Sequence, residues 1–116
     1  MDRKYFPVVF FRTESGSEPV REWLKGLTAQ ERKTIGEDIK TVQFGWPLGM
    51  PLIKKIEPGL WEVRSRMVNK ISRVIFTVLE ENIFLLHGFI KKSQKLPEED
   101  LRIARQRLSD IKRSHK

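Results

Sequence analysis

The stretch LLHGFIKKSQKLP, Leu85–Pro97, ends a strand-like apolar run in three lysines, Lys91, Lys92 and Lys95, followed by a proline. Two arginines upstream stand in alternating contexts, Arg64 in LWEVRSR and Arg73 in ISRVIF. Successive side chains of an extended strand point to opposite faces. Glu62, Arg64 and Arg66 therefore share one face, away from Trp61 and Val63, and the expectation is that this charge faces away from the core. Arg73 is in phase with Ile71 and Ile75, and His87, Phe89 and Lys91 share a phase on the next strand. If these strands pair as a meander, Arg64, Arg73 and Lys91 converge on one concave surface with Lys54, Lys55 and Lys92 at its rim. Fixed cations in such an arrangement hold phosphates. The same pattern also fits solvated strand faces whose lysines discourage edge-to-edge association.

The charge balance decides which partners are worth considering. The chain of 116 residues carries a formal charge of +8. There are 10 basic and 8 acidic residues up to Pro58, and 13 basic and 7 acidic from Gly59 onward. The excess thus sits in the half that holds the candidate strands. A field of this sign favours a polyanion, nucleic acid first and an anionic membrane surface second, although solubility alone also accounts for a basic surface.

Other chemistries lack their residues. With no cysteine and two histidines there is no disulfide framework, no thiol nucleophile and no metal-ligand spacing, so no metal or other cofactor is expected. No serine has a triad context, and no glycine-rich phosphate loop follows a strand. A general base is hard to find. Tyr5 is the only tyrosine and lies near the N-terminus, and His115 lies in the last residues. His87 is the candidate acid or base in the strand region, but its apolar neighbours suit a structural histidine equally well. If it is buried, Glu62 or a lysine of lowered pKa takes its place. Trp23, Trp46 and Trp61 suit packing better than base stacking.

These residues need elements to position them. PVVFF reads as an opening strand. Ser17 can cap a helix that has Pro19 in its first turn and Val20, Trp23, Leu24 and Leu27 at helical spacing. TAQE has the spacing of a capping box, with Thr28 and Glu31 opening a second helix that ends near Gly45. After the GWPLGMP loop come LIKKI, LWEVRSRM, KISRVIFTVL and IFLLHGFIKK, separated by the short turns EPG and EEN. Pro97 and the acidic Glu98, Glu99 and Asp100 open a final helix with the stripe Leu101, Ala104, Leu108 and Ile111. The expectation is one α+β domain over residues 1–116: two N-terminal helices on one face of a mostly antiparallel sheet, and a short C-terminal helix. The N-terminal apolar run is too short for a signal peptide and no later run is long enough to span a membrane, so a cytoplasmic protein with no membrane partner is expected.

LWEVRS, the SRVIF strand, LLHGFIKKSQKLP and the helix after it resemble the HigB-type toxins of bacterial and phage toxin–antitoxin systems, within the RelE/ParE toxin superfamily. The resemblance covers nearly the whole chain, including the N-terminal helix pair and the FGWPLGMP loop. It implies a RelE-like fold and a metal-independent endoribonuclease that enters the ribosome and cuts translating mRNA through attack of a ribose 2′-OH on the adjacent phosphate. It also implies a helix-turn-helix antitoxin of the HigA type as partner. By position, Arg64 and Arg73 match the family's strand arginines, Lys91 and Lys92 its basic pair, and Lys54 and Lys55 its RNA-gripping lysines. Arg66 and Lys95 are further candidate RNA contacts. Arg73 is the residue expected to stabilise the phosphorane. Many relatives carry threonine before the helix-opening proline, where this chain has Leu96.

Two other function classes share these residues: a non-enzymatic gyrase inhibitor of the ParE branch, and an RNA-binding module or degenerate toxin. The set Arg64, Arg73, Lys91 and Lys92, suited to phosphate chemistry, favours the nuclease.

Overall fold

The computed structural model describes residues 5–91 and 96–115. Its elements are β1 (Val8–Phe10), α1 (Pro19–Lys25), α2 (Ala29–Gly45), β2 (Ile53–Glu57), β3 (Leu60–Met67), β4 (Lys70–Leu79), β5 (Asn82–Lys91) and α3 (Glu98–Ser114). The five strands form one mixed sheet in the order β1-β5-β4-β3-β2. β2 to β5 are an antiparallel meander, and β1 adds to β5 in parallel at the edge. None of the described helices is long and apolar enough to cross a membrane.

Alternation along the strands builds two cores. Val63, Val74, Phe76, Ile83 and Leu85 bury one face of the sheet with Val20 of α1 and Ile35, Ile39 and Val42 of α2. Leu60, Ile75, Phe84 and Leu86 bury the other face with Ala104, Leu108 and Ile111 of α3. The C-terminal helix is therefore not short. It runs 17 residues, as many as α2, because its apolar stripe finds sheet to cover along its whole length. Removing this much apolar surface from water is the main source of stability.

The helix starts differ in how they are held. Glu31 N–H donates to Thr28 Oγ1 at 3.1 Å and Glu31 Oε1 accepts from Thr28 N–H at 2.9 Å, a complete capping box for α2. Ser17 does not cap α1. Its hydroxyl lies 2.8 Å from that of Thr13 and its N–H donates to Thr13 Oγ1, so it closes the preceding turn instead. Glu18 stands at the N-cap without a side-chain bond, and α1 starts on the pre-set φ of Pro19. Pro97 likewise caps α3 without a side-chain bond, and the carboxylates of Glu98, Glu99 and Asp100 sit at the positive end of the helix.

The tryptophans pack. Trp46 meets Trp61 and Phe76 edge-on, at centroid distances of 5.0 and 5.4 Å. Trp23 lies directly on Gly88, where a Cβ would fall 2.4 Å from the indole.

A candidate phosphate-binding face

The strand register lays the candidate residues out as three rows on the face of the sheet that also carries α3. Cross-strand partners share a face with Cβ atoms about 5 Å apart. The row beside α3 holds Lys54, Glu62, Ile75 and His87; the next holds Arg64, Arg73 and Phe89; the third holds Arg66, Ile71 and Lys91. Arg64 and Arg73, Lys54 and Glu62, and Arg66 and Lys91 thus belong to one surface. Lys55 does not. It pairs with Trp61, so it belongs to the opposite phase from Lys54. Lys92 and Lys95 lie outside the described residues.

Charge on this face does not all point to solvent. Glu62 is 1% and Arg73 2% exposed, and Arg73 Nε lies 3.5 Å from Glu62 Oε2. The expectation that Glu62, like Arg64 and Arg66, faces away from the core fails for Glu62, because the same face is a second packed layer. An ion pair in such a place survives only through its partner and its remaining polar contacts. Arg64 and Lys91 are half-buried, and Lys54 and Arg66 are exposed.

Lys91 carries the electrostatic consequence. Burial pushes its pKa below the usual lysine value, the guanidinium groups of Arg73 and Arg64 push it further, Lys54 adds to them, and Glu62 opposes. Binding an anion there offsets the repulsion among these cations.

His87 is held on both sides of its ring. Nε2 lies 2.5 Å from Asp100 Oδ1, and Nδ1 lies 3.5 Å from Arg107 Nη1. The imidazole stacks on Phe89 with centroids 5.6 Å apart and planes 26° apart. With both nitrogens engaged it has the surroundings of a structural histidine. The sequence pattern placed Asp100 at the start of a helix but named neither Asp100 nor Arg107 as part of the site. They lie seven positions apart on α3 and so share a helical face, but nothing in their spacing names the strand they meet.

Neither remaining base candidate approaches this surface. The Tyr5 hydroxyl accepts from Gln43 at 2.8 Å, beside Phe44. His115 stands edge-on to Phe84 at the end of α3. A groove of about 1050 Å³ between β1 and α3, with Phe84 in its lining, contains none of the expected site residues. No group of three or more His, Cys, Asp or Glu side chains among the described residues could hold a metal ion.

Arg64, Arg73, Lys91, Lys54 and Arg66 thus share one sheet surface, a set of cations of the kind that attracts phosphate oxygens. A comparison with curated proteins gives no match. A scan against family models matches residues 22–109, the span from α1 through all four meander strands to α3, to the family described as phage derived protein Gp49-like (DUF891). The chain belongs to this Gp49-like family, which lies within the RelE/ParE-like toxin superfamily.

Proposed function

We propose that this protein is the toxin of a toxin–antitoxin pair and acts as a ribosome-dependent, metal-independent endoribonuclease on translating mRNA in the cytoplasm, restrained by a helix-turn-helix antitoxin of the HigA type. The observation that supports this reading best is the cationic cluster around Lys91, a half-buried lysine of lowered pKa beside two arginines on one sheet face.

In the proposed reaction the Lys91 amine, in its unprotonated form, accepts the proton of a ribose 2′-OH. The freed oxygen forms a bond to the adjacent phosphorus, and the bond from phosphorus to the 5′-oxygen of the next nucleotide breaks. The departing oxygen takes a proton from solvent or from a neighbouring ammonium, leaving a 2′,3′-cyclic phosphate and a 5′-hydroxyl. The phosphorane carries one more negative charge than the ground state. Cations fixed beforehand around it therefore lower the barrier rather than merely tightening binding. Arg64, the more accessible of the register pair, contacts the phosphorane in this reading. Arg73 supports it from the buried layer against Glu62, which is too deeply placed to serve as the base. Lys54 and Arg66 hold flanking phosphates. Lys92 keeps the catalytic role that the family resemblance implies and Lys95 stays a candidate RNA contact, whereas Lys55, on the opposite phase from Lys54, is not part of this face.

Induced expression in a bacterial host tests the class. Growth and translation should stop, should recover when the helix-turn-helix protein encoded beside the toxin is co-expressed, and should be unaffected by Arg64→Ala protein that is folded by circular dichroism. Arrest accompanied by failed DNA supercoiling and intact message would point to the gyrase-inhibiting branch instead. Binding of RNA without arrest would indicate a binding module.

A further inference from the structure

The ladder between β4 and β5 is broken once. Ile75 pairs with His87, but the next residue, Phe76, pairs with Leu85, so Leu86 is an extra residue in β5. A bulge of this kind leaves a residue without ladder partners and re-aims the side chains next to it. The carbonyl stranded here is taken up by α3: Arg107 Nη1 donates to Leu86 O at 2.6 Å, and the same guanidinium lies over the Phe11 ring, 5.5 Å from its centroid. Asp100, on the first turn of the helix, takes the other side of the re-aimed residue through His87 Nε2 at 2.5 Å. Both partners of this contact are largely buried, with side chains 16% and 22% exposed.

These contacts fix one arrangement of the ring. A carboxylate only accepts, so Nε2 carries the proton, and a guanidinium only donates, so Nδ1 presents its lone pair to Arg107. The imidazole so held is stacked on Phe89, whose register partner is Arg73 and whose neighbour in phase is Lys91. Through Asp100 and Arg107, α3 thus reaches the imidazole that stacks on Phe89.

We propose that Asp100 and Arg107 are positioning residues of the phosphate site: from α3 they lock His87 at the β5 bulge in a single tautomer and orientation, and the locked imidazole holds Phe89 in place opposite Arg73 and beside Lys91. His87 is then a pin in the wall and not a proton carrier. The consequence for cleavage rests on the nuclease reading above; the lock itself does not.

The test combines two measurements on the full-length protein. Long-range 1H–15N spectra, with His115→Gln used to assign the rings, should show His87 protonated at Nε2 and bare at Nδ1 at pH 8. Asp100→Ala and Asp100→Asn should each abolish or weaken that preference, and Asp100→Glu should restore it. On programmed ribosomes the alanine variant should cut bound message roughly tenfold to a hundredfold more slowly, the scale of a reacting group misplaced by about an ångström, while its affinity for the ribosome changes less than twofold. A wild-type ring protonated at Nδ1 or averaging freely between tautomers would overturn the lock. Asp100→Ala cleaving at the wild-type rate would overturn its role in the site. A wild-type protein that cuts no message but shows the locked ring would sink the nuclease reading and uphold the lock.

Discussion

Arg73 Nε lies 3.5 Å from Glu62 Oε2 with both side chains almost wholly buried. The pair couples stability to the site in a way that exposed arginines do not. Removing one member leaves the other as an uncompensated charge in a packed layer, so Arg73→Ala should lower unfolding free energy by about 3 to 5 kcal/mol. Arg64→Ala, which removes a half-buried group, should change stability far less. Denaturant unfolding of the two variants checks this. An Arg73→Ala protein as stable as wild type would mean that Glu62 finds another partner, and loss of toxicity in that variant must be read only after its folding has been measured.

Lys91 provides a prediction about pH. Its folded-state pKa is below its usual value because of burial first, then Arg73 and Arg64. A base depressed in this way opposes folding while it is charged, and that penalty is relieved as pH rises through the folded pKa toward the unfolded value. In reductively dimethylated protein, the Lys91 resonance should titrate below the usual lysine range. Arg64→Gln, which removes one of the named causes, should move it upward. A Lys91 that titrates in the usual lysine range would remove the basis for calling it the base.

Gly88 tests the opposite face. Its Cβ position lies 2.4 Å from Cε3 of Trp23, and the contact joins α1 to β5. Gly88→Ala forces the indole or the strand to move and should cost about 1 to 3 kcal/mol, the range for overfilling a packed core. Thermal unfolding measures it. The double variant Trp23→Leu with Gly88→Ala should recover part of the loss, and a fully stable single variant would show that α1 can lift off freely.

The parts of this molecule that were legible in its sequence are those governed by local period. The capping box of Thr28 and Glu31, the four meander strands with their short turns, and the shared phase of Arg64, Arg73 and Lys91 all follow from spacing. The same period also separates Lys54 from Lys55, so the sequence held the signal that only one of them joins the face. Burial was not legible. Alternation tells which side of a strand Glu62 occupies, but whether that side is wet depends on α3, which reaches it from the far end of the chain. The bulge at Leu86 and the grip of Asp100 and Arg107 on His87 have no local pattern either, since each contact spans 13 to 21 positions. Ser17 failed as a cap because Thr13, four residues earlier, competed for it.

The central claim is that this face cleaves RNA through the ribose hydroxyl. The most direct measurement is cleavage of two otherwise identical messages on programmed ribosomes, one of them carrying a single 2′-deoxynucleotide on the 5′ side of the mapped cut, with end chemistry determined on the products. The account predicts a 2′,3′-cyclic phosphate and a 5′-hydroxyl from the ribose message and no cut at the substituted position. Cleavage of the deoxy-substituted message at that position, or products bearing a 5′-phosphate, would contradict it.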